Sequence, residues 1–137
     1  MSLILQVFIA LILFMSISSA DELLKMDDIS LQKDEQKVFL VKYENKERKF
    51  TFRWTLYTNE GLVTLSSYDT IVSHHMMFLN NTNQTFKVIL KRGSRIYERV
   101  YFLVKFKKFD TKENRAIFEL FLSDPRRETQ IDEFKND

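Results

Sequence analysis

The side chains best suited to acid–base or metal chemistry are His74 and His75, the only histidines in the chain. Imidazole titrates near neutral pH and is a common metal ligand. Adjacent residues of a strand point to opposite faces, so these two side chains do not easily share one metal ion. No spacing of acidic residues around them suggests further ligands. We therefore expect no metal site and no cofactor, and an enzyme that uses His74 or His75 is the less favoured alternative.

The chain also lacks the sequence signatures of covalent and nucleotide chemistry. It has no cysteine and only two glycines. It contains neither a G-x-S-x-G nucleophile elbow nor a glycine-rich phosphate loop. Its acidic residues lie in no context that predicts a shifted pKa. These observations predict a non-catalytic protein without catalytic residues.

A basic stretch with interleaved tyrosines, residues 91–108, is the strongest candidate for a binding surface. It holds seven basic side chains and one acidic residue, Glu98. Its expected outward face supplies the candidate binding residues Tyr97, Arg99, Tyr101, Lys105 and Lys107. An acidic protein partner or an anionic envelope lipid fits such a surface. Single-stranded nucleic acid is bound by similar surfaces, but the export that the leader predicts disfavours it.

The alternative is a solvated sheet face with no binding role, because lysine commonly keeps a strand from pairing with other chains. Acidic segments flank the basic stretch on both sides, at residues 21–36 and 124–137. These flanks are able to fold back onto the basic stretch and neutralise it.

The candidate binding residues belong to a long segment, residues 95–109, in which apolar side chains recur with a period of two. Such alternation predicts a half-buried strand. The inward face comprises Ile96, Val100, Phe102, Val104 and Phe106. Fifteen extended residues would span roughly 50 Å, which is longer than a typical strand. We therefore expect a bulge or bend at Glu98 and a strand shared between two sheets.

The first twenty residues resemble a secretory signal peptide. Residues 3–17 are almost wholly apolar, and small residues precede an expected cleavage site between Ala20 and Asp21. This pattern predicts export. Because the segment before residue 3 has no lysine or arginine, an uncleaved inner-membrane anchor formed by residues 3–17, facing the periplasm, is the alternative. The absence of cysteine favours the bacterial periplasm over an animal extracellular space.

The chain after the leader is predicted to be one all-β domain. Residues 21–36 form an acidic lead-in, residues 37–123 a β domain, and residues 124–137 an acidic tail that is disordered or a short helix. Seven alternating segments with polar turns between them predict an antiparallel β-sandwich, immunoglobulin-like, with a partly open barrel as the alternative. The predicted strands cover residues 37–43, 49–57, 62–68, 71–79, 86–91, 95–109 and 115–122.

Glycines are expected at two turns. Gly61 suits a positive-φ turn position. A three-residue loop at residues 91–93, with Gly93 left-handed, brings the apolar faces of the two flanking strands together, whereas a two-residue loop would not.

These features together predict an exported, non-catalytic binding or structural domain. We expect it to be an accessory component of a bacterial envelope assembly, with a protein partner in the cell envelope. The alternative is a carrier of an apolar or lipid ligand, because the phenylalanine-rich faces could enclose one.

Overall fold

The computed structural model describes residues 23–78 and 84–134. The leader, its expected cleavage site between Ala20 and Asp21, and residues 79–83 lie outside the described residues. Within them the chain forms ten strands and a 3₁₀ turn at Ile96–Glu98. The strands are β1 (Leu23–Lys25), β2 (Ile29–Gln32), β3 (Lys37–Tyr43), β4 (Lys46–Tyr57), β5 (Gly61–Tyr68), β6 (Ile71–Phe78), β7 (Thr85–Lys91), β8 (Val100–Asp110), β9 (Arg115–Ser123) and β10 (Gln130–Glu133).

The strands form two antiparallel sheets that pack against each other. One sheet has the order β1–β9–β8–β7, with β2 also paired to β9, and the other has the order β10–β3–β4–β5–β6. The predicted antiparallel β-sandwich is confirmed, and the sheets are not closed into the alternative barrel. Most neighbouring strands are consecutive along the chain, whereas immunoglobulin domains interleave strands through Greek-key connections.

The core between the sheets is filled by the alternating aromatic positions. β4 contributes Phe50, Phe52 and Trp54, each at most 3% exposed. From the facing sheet, the ring centroid of Phe102 lies 5.0 Å from that of Phe50, and the centroid of Phe118 lies 4.7 Å from that of Phe52. Burying each large apolar side chain contributes roughly 1.5–3 kcal/mol. These ring pairs therefore hold the two sheets together in a chain that has no disulfide.

The strand at the centre of the sequence prediction is shorter than its periodicity indicates. β8 begins at Val100, and Ile96 in the preceding 3₁₀ turn is 67% exposed instead of buried. The carboxylate of Glu98 accepts hydrogen bonds from the backbone N–H of Arg95 at 3.3 Å and from the hydroxyl of Ser94 at 3.2 Å. These bonds close the turn. The chain does bend at Glu98, but in a turn that precedes the strand. The prediction of a strand shared between two sheets is wrong, because β8 pairs in one sheet alone.

A bulge does occur in β8, but near its far end. The register with β9 shifts between Phe106 and Lys108. The extra residue is Lys107, and both Lys107 and Lys108 are exposed. The strict inward and outward alternation of β8 therefore ends at Phe106.

The apolar faces of β7 and β8 meet as predicted, with Phe86 opposite Val104 and Val88 opposite Phe102. The connection is not the predicted three-residue loop. It runs over residues 92–99 and contains the 3₁₀ turn. A register shift between Ile89 and Lys91 compensates for the different loop length.

Neither glycine adopts the left-handed conformation predicted for it, since no described glycine has a positive φ. Instead both glycines permit close approach. A Cβ atom on Gly61 would lie 2.5 Å from the carbonyl oxygen of Met77, and one on Gly93 would lie 2.4 Å from the Cβ of Glu98. Six described non-glycine residues are left-handed instead: Asp34, Glu44, Asn45, Asp69, Asn114 and Arg127. Four of them are aspartate or asparagine, whose short polar side chains tolerate this region.

The acidic flanks contribute strands to both sheets. In the lead-in, β1 and β2 pair with β9, and Ile29 and Leu31 of β2 are buried in the core. In the tail, β10 pairs with β3 and places Ile131 opposite Val41. The prediction of disorder or a short helix is wrong for this strand. Its backbone is held by β3, a neighbour distant in sequence that the tail's composition does not reveal.

Candidate interaction site

The five residues of the predicted basic face lie in three different parts of the structure: the 3₁₀ turn, the outer face of β8 and the bulge of β8. Tyr97 lies in the 3₁₀ turn, and Arg99 ends it. Tyr101 and Lys105 lie half-buried on the outer face of β8, and Lys107 lies at the bulge. The five residues therefore do not share one continuous strand face.

The acidic flanks neutralise part of this positive charge. The ammonium of Lys107 lies 3.0 Å from the carboxylate of Asp28 in the lead-in. The ammonium of Lys91 lies 3.0 Å from Glu128 in the tail and 2.9 Å from Glu44. The hydrogen bond between Lys107 and Asp28 lowers the pKa of the carboxyl and raises the pKa of the ammonium. Folding back of the acidic flanks is confirmed at these two lysines.

The tyrosines of the same stretch already contact cations of their own chain. The guanidinium carbon of Arg126 lies 4.9 Å from the ring centroid of Tyr97. The ammonium of Lys87 lies 4.6 Å from the ring centroid of Tyr101. Cation–π attraction of this kind holds each ring against a basic side chain of the same chain.

The two histidines lie on opposite faces of β6, as expected from their adjacency. His74 is exposed, whereas His75 is half-buried and stacks on Phe86 of the facing sheet with ring centroids 4.0 Å apart. Burial lowers the pKa of His75, with a smaller contribution from the charge of His74, and its buried Nδ1 has no hydrogen-bond partner among the described residues. Within residues 23–78 and 84–134, no group of three His, Asp or Glu side chains is placed to hold a metal ion.

The most distinctive surface is the outer edge of β6. This strand ends one sheet and pairs only with β5 in the part of the chain that the structure describes. Its eight residues carry no lysine, arginine, aspartate or glutamate. Four of its apolar side chains are also exposed: Ile71 at 56%, Val72 at 61%, Met76 at 45% and Phe78 at 51%.

The direction of the free backbone groups on β6 follows from one side-chain contact. The amide of Gln84 accepts a hydrogen bond from the backbone N–H of Phe78 at 2.8 Å and donates one to its carbonyl oxygen at 2.5 Å. Both backbone groups of Phe78 therefore point away from β5. Because these directions alternate along an antiparallel strand, the backbone groups of Val72, His74 and Met76 point toward the same open edge.

The other sheet edges carry the protection that β6 lacks. β7 presents Lys87 and Lys91, and β10 contains Asp132 and Glu133. The edge opposite β7 is divided between β1 and β2, which are three and four residues long. Charged side chains and short lengths both discourage pairing with another chain. Among the described edges, β6 is thus the one suited to accept an additional strand.

An aromatic groove lies at the end of the sandwich where β4 and β8 finish. Its volume is about 490 Å³. The ring of Tyr57 stacks on Phe109 with centroids 4.0 Å apart, and Trp54 packs edge-on against Phe109 at 5.6 Å. Polar side chains form the rim: Gln32, Lys33, Glu113 and Asn114. The groove is open to solvent, and its lining residue Trp54 also belongs to the core.

Comparison of the chain with protein-family models, with curated proteins and with solved structures gives no match. Over the two described ranges, none of the helical structure is long or apolar enough to cross a membrane.

Sequence reasoning identified β6 as a strand but missed its role as an open edge. Residues 71–79 are apolar on both faces apart from Ser73, His74 and His75, a pattern typical of a strand that is covered on both sides. Two features distinguish β6 from a strand that is covered on both sides: it has no charged side chains, and its apolar side chains are exposed. The sequence shows the first feature, whereas the second depends on sheet order.

Proposed function

We propose that this protein is an exported, non-catalytic binding domain that accepts an extended segment of a partner protein as an extra strand beside β6. The observation that carries the proposal is the uncharged β6 edge, on which Val72, His74 and Met76 direct their backbone groups outward. Strand addition of this kind is a recurring mode of peptide recognition. The leader supports export, and an accessory role in a bacterial envelope assembly is the setting that suits it.

The edge specifies the chemistry of the partner segment. Each of the three outward-directed residues offers one N–H donor and one C=O acceptor, so the segment needs an extended backbone about as long as β6. Its side chains that lie beside Val72 and Met76 are expected to be apolar, because these two side chains are 61% and 45% exposed. Main-chain hydrogen bonds supply affinity in this mode, and the alternate side chains supply specificity.

The proposal is tested by site-specific photo-crosslinking in the protein's own cells. The full chain carries a photo-reactive amino acid at His74 on the open edge or, as a matched control, at Lys87 on the charged edge of β7. We expect a discrete crosslinked product from position 74 and little from position 87. A product of twice the chain mass would identify a second copy as the donor of the strand. Equal yields at the two positions, or no product at position 74, would refute the proposal.

A second candidate function, binding of a small apolar or aromatic ligand, is favoured by the groove at Trp54, Tyr57 and Phe109. Stacked aromatic rings with a polar rim are typical of ligand sites. Native mass spectrometry of the protein from its own cells tests this candidate. A co-purifying small molecule that is lost in Tyr57→Ala supports it, and an unliganded mass in gentle conditions contradicts it.

A further inference from the structure

A second surface lies at the end of the sandwich where the apolar N-terminal segment joins the fold. Leu23, the first residue of β1, is opposite Ser123, and Ser123 is also opposite Tyr101 near the start of β8. The three residues form one row across the sheet. Neighbouring strands lie about 5 Å apart, so the chain enters the domain about 10 Å from the beginning of β8.

The loop at residues 92–99 projects from this same end and has the composition of a membrane-contacting loop. Ile96 is 67% exposed and Tyr97 is 42% exposed at its tip. Three arginines accompany them, Arg92, Arg95 and Arg99, against one acidic residue, Glu98. Exposed apolar and tyrosine side chains beside basic ones are typical of segments that lie at the interface of an anionic bilayer.

The connection between β9 and β10 contributes a further arginine beside the loop at residues 92–99. Its Arg126 reaches the ring of Tyr97 and lies 3.9 Å from Glu98, the one acidic residue of the loop. Glu98 is thus occupied by bonds within the domain, whereas Arg92 has no ion pair among the described residues. The free positive charge at the tip therefore comes from the arginines.

The short spacer between the apolar segment and β1 limits how far the domain can lie from a bilayer that holds this segment. Five residues separate the end of the apolar segment at Ile17 from Leu23. Even fully extended, this spacer spans about 20 Å. Wherever the apolar segment remains in a bilayer, the loop at residues 92–99 is consequently held close to that bilayer.

We propose that the end of the sandwich bearing Arg92, Arg95, Ile96 and Tyr97 docks on an anionic lipid surface, with the apolar tip in the interface and the arginines on lipid phosphates. The open edge of β6 runs along the side of the domain and stays accessible in this orientation. This docking is independent of strand addition at β6.

The experiment uses the full chain from Met1, reconstituted in vesicles through its apolar segment. Because the native chain has no cysteine, Ser94→Cys or Lys112→Cys places one fluorophore at the docking end or at the opposite end. Lipid-borne quenchers then report how close each label is to the bilayer. We expect strong quenching at position 94 and weak quenching at position 112 in vesicles that contain phosphatidylglycerol.

The quenching at position 94 should also depend on the charge of the lipid and on the arginines of the loop. Each basic residue near an anionic surface contributes about 1 kcal/mol, which is about a fivefold change in binding. The quenched fraction at position 94 should fall by more than half in Arg92→Gln/Arg95→Gln or in pure phosphatidylcholine. The matched control Lys33→Gln/Lys108→Gln, which removes the same charge at the far end, should leave it unchanged. Equal quenching at positions 94 and 112 would overturn the proposal. So would a quenched fraction at position 94 that stays the same in pure phosphatidylcholine and in the double arginine variant.

Discussion

The imidazole of His75 lies flat on the ring of Phe86, with centroids 4.0 Å apart and an angle of 8° between the ring planes. This contact joins β6, the open edge of one sheet, to β7, the charged edge of the other. A strand that pairs on one side only is held by fewer hydrogen bonds than a central strand. The stack therefore helps to fix the edge on which we propose that a partner binds.

The stability of the domain should depend on pH through His75. Burial lowers its pKa in the folded state from the ordinary value of 6.5, so the unfolded chain binds a proton at a higher pH than the folded chain does. The contribution of neutral His75 to the free energy of unfolding is accordingly fully present above about pH 7. It declines as the pH falls toward the lowered pKa of His75 in the folded state. Urea denaturation at pH 7.5 and 5.5 should show this loss.

Two substitutions isolate the residue responsible. His75→Phe keeps a ring on Phe86 but removes the titrating group, so the decline between pH 7.5 and 5.5 should become much smaller. His74→Gln, which changes the exposed neighbour, should retain the decline. A pH profile that is identical in the wild type and in His75→Phe would show that His75 is not the cause.

A buried hydroxyl links the two sheets at the end that carries the loop 92–99. The hydroxyl of Tyr68 donates a hydrogen bond of 2.7 Å to the carbonyl oxygen of Leu90, and burial raises the pKa of that hydroxyl. Tyr68→Phe should lower the free energy of unfolding by about 1 kcal/mol. Tyr57→Phe is the matched control. Because Tyr57 is 39% exposed, this substitution should change the free energy of unfolding little. Equal effects in urea denaturation would argue against a role for the Tyr68 bond.

The close contact at Gly61 predicts a steric cost at the β6 edge. An added Cβ would lie 2.5 Å from the carbonyl oxygen of Met77, and this oxygen belongs to the backbone of β6. Gly61→Ala should therefore force β5 and β6 apart and destabilise the domain by about 1–3 kcal/mol. Glu60→Ala, at the exposed neighbouring position, is the control. A thermal midpoint of Gly61→Ala equal to that of the control would contradict this reading of the glycine.

The period of two in the apolar side chains predicts correctly which residues form the core, but it does not predict where each strand begins and ends. Phe50, Phe52 and Trp54 alternate cleanly and are all buried, because a period of two fixes which side chains share a face. Alternation before Val100 continues through residues that form a turn, since Glu98 bonds the backbone locally at Arg95. Periodicity does not detect that competition.

The candidate site was harder to infer because it depends on neighbours far away in sequence. Residues 71–78 form a strand in both the sequence analysis and the structure. Whether that strand is central or at an edge is decided by sheet order, and its alternation is the same in either position. Likewise, the pairing of Lys107 with Asp28 joins residues 79 positions apart, so the net charge of a local stretch overstated its free charge.

Charge added to the β6 edge tests directly whether a partner segment pairs with this strand. The double change Val72→Lys/Met76→Lys places two lysines on exposed positions, where they should leave the thermal midpoint close to that of the wild type but prevent strand addition. The control Thr85→Lys/Ile89→Lys adds the same charge to β7. With the photo-reactive residue at position 74, we expect the crosslinked partner to disappear in the β6 variant and to persist in the β7 variant. A folded β6 variant that still captures the partner at the wild-type yield would contradict strand addition at β6.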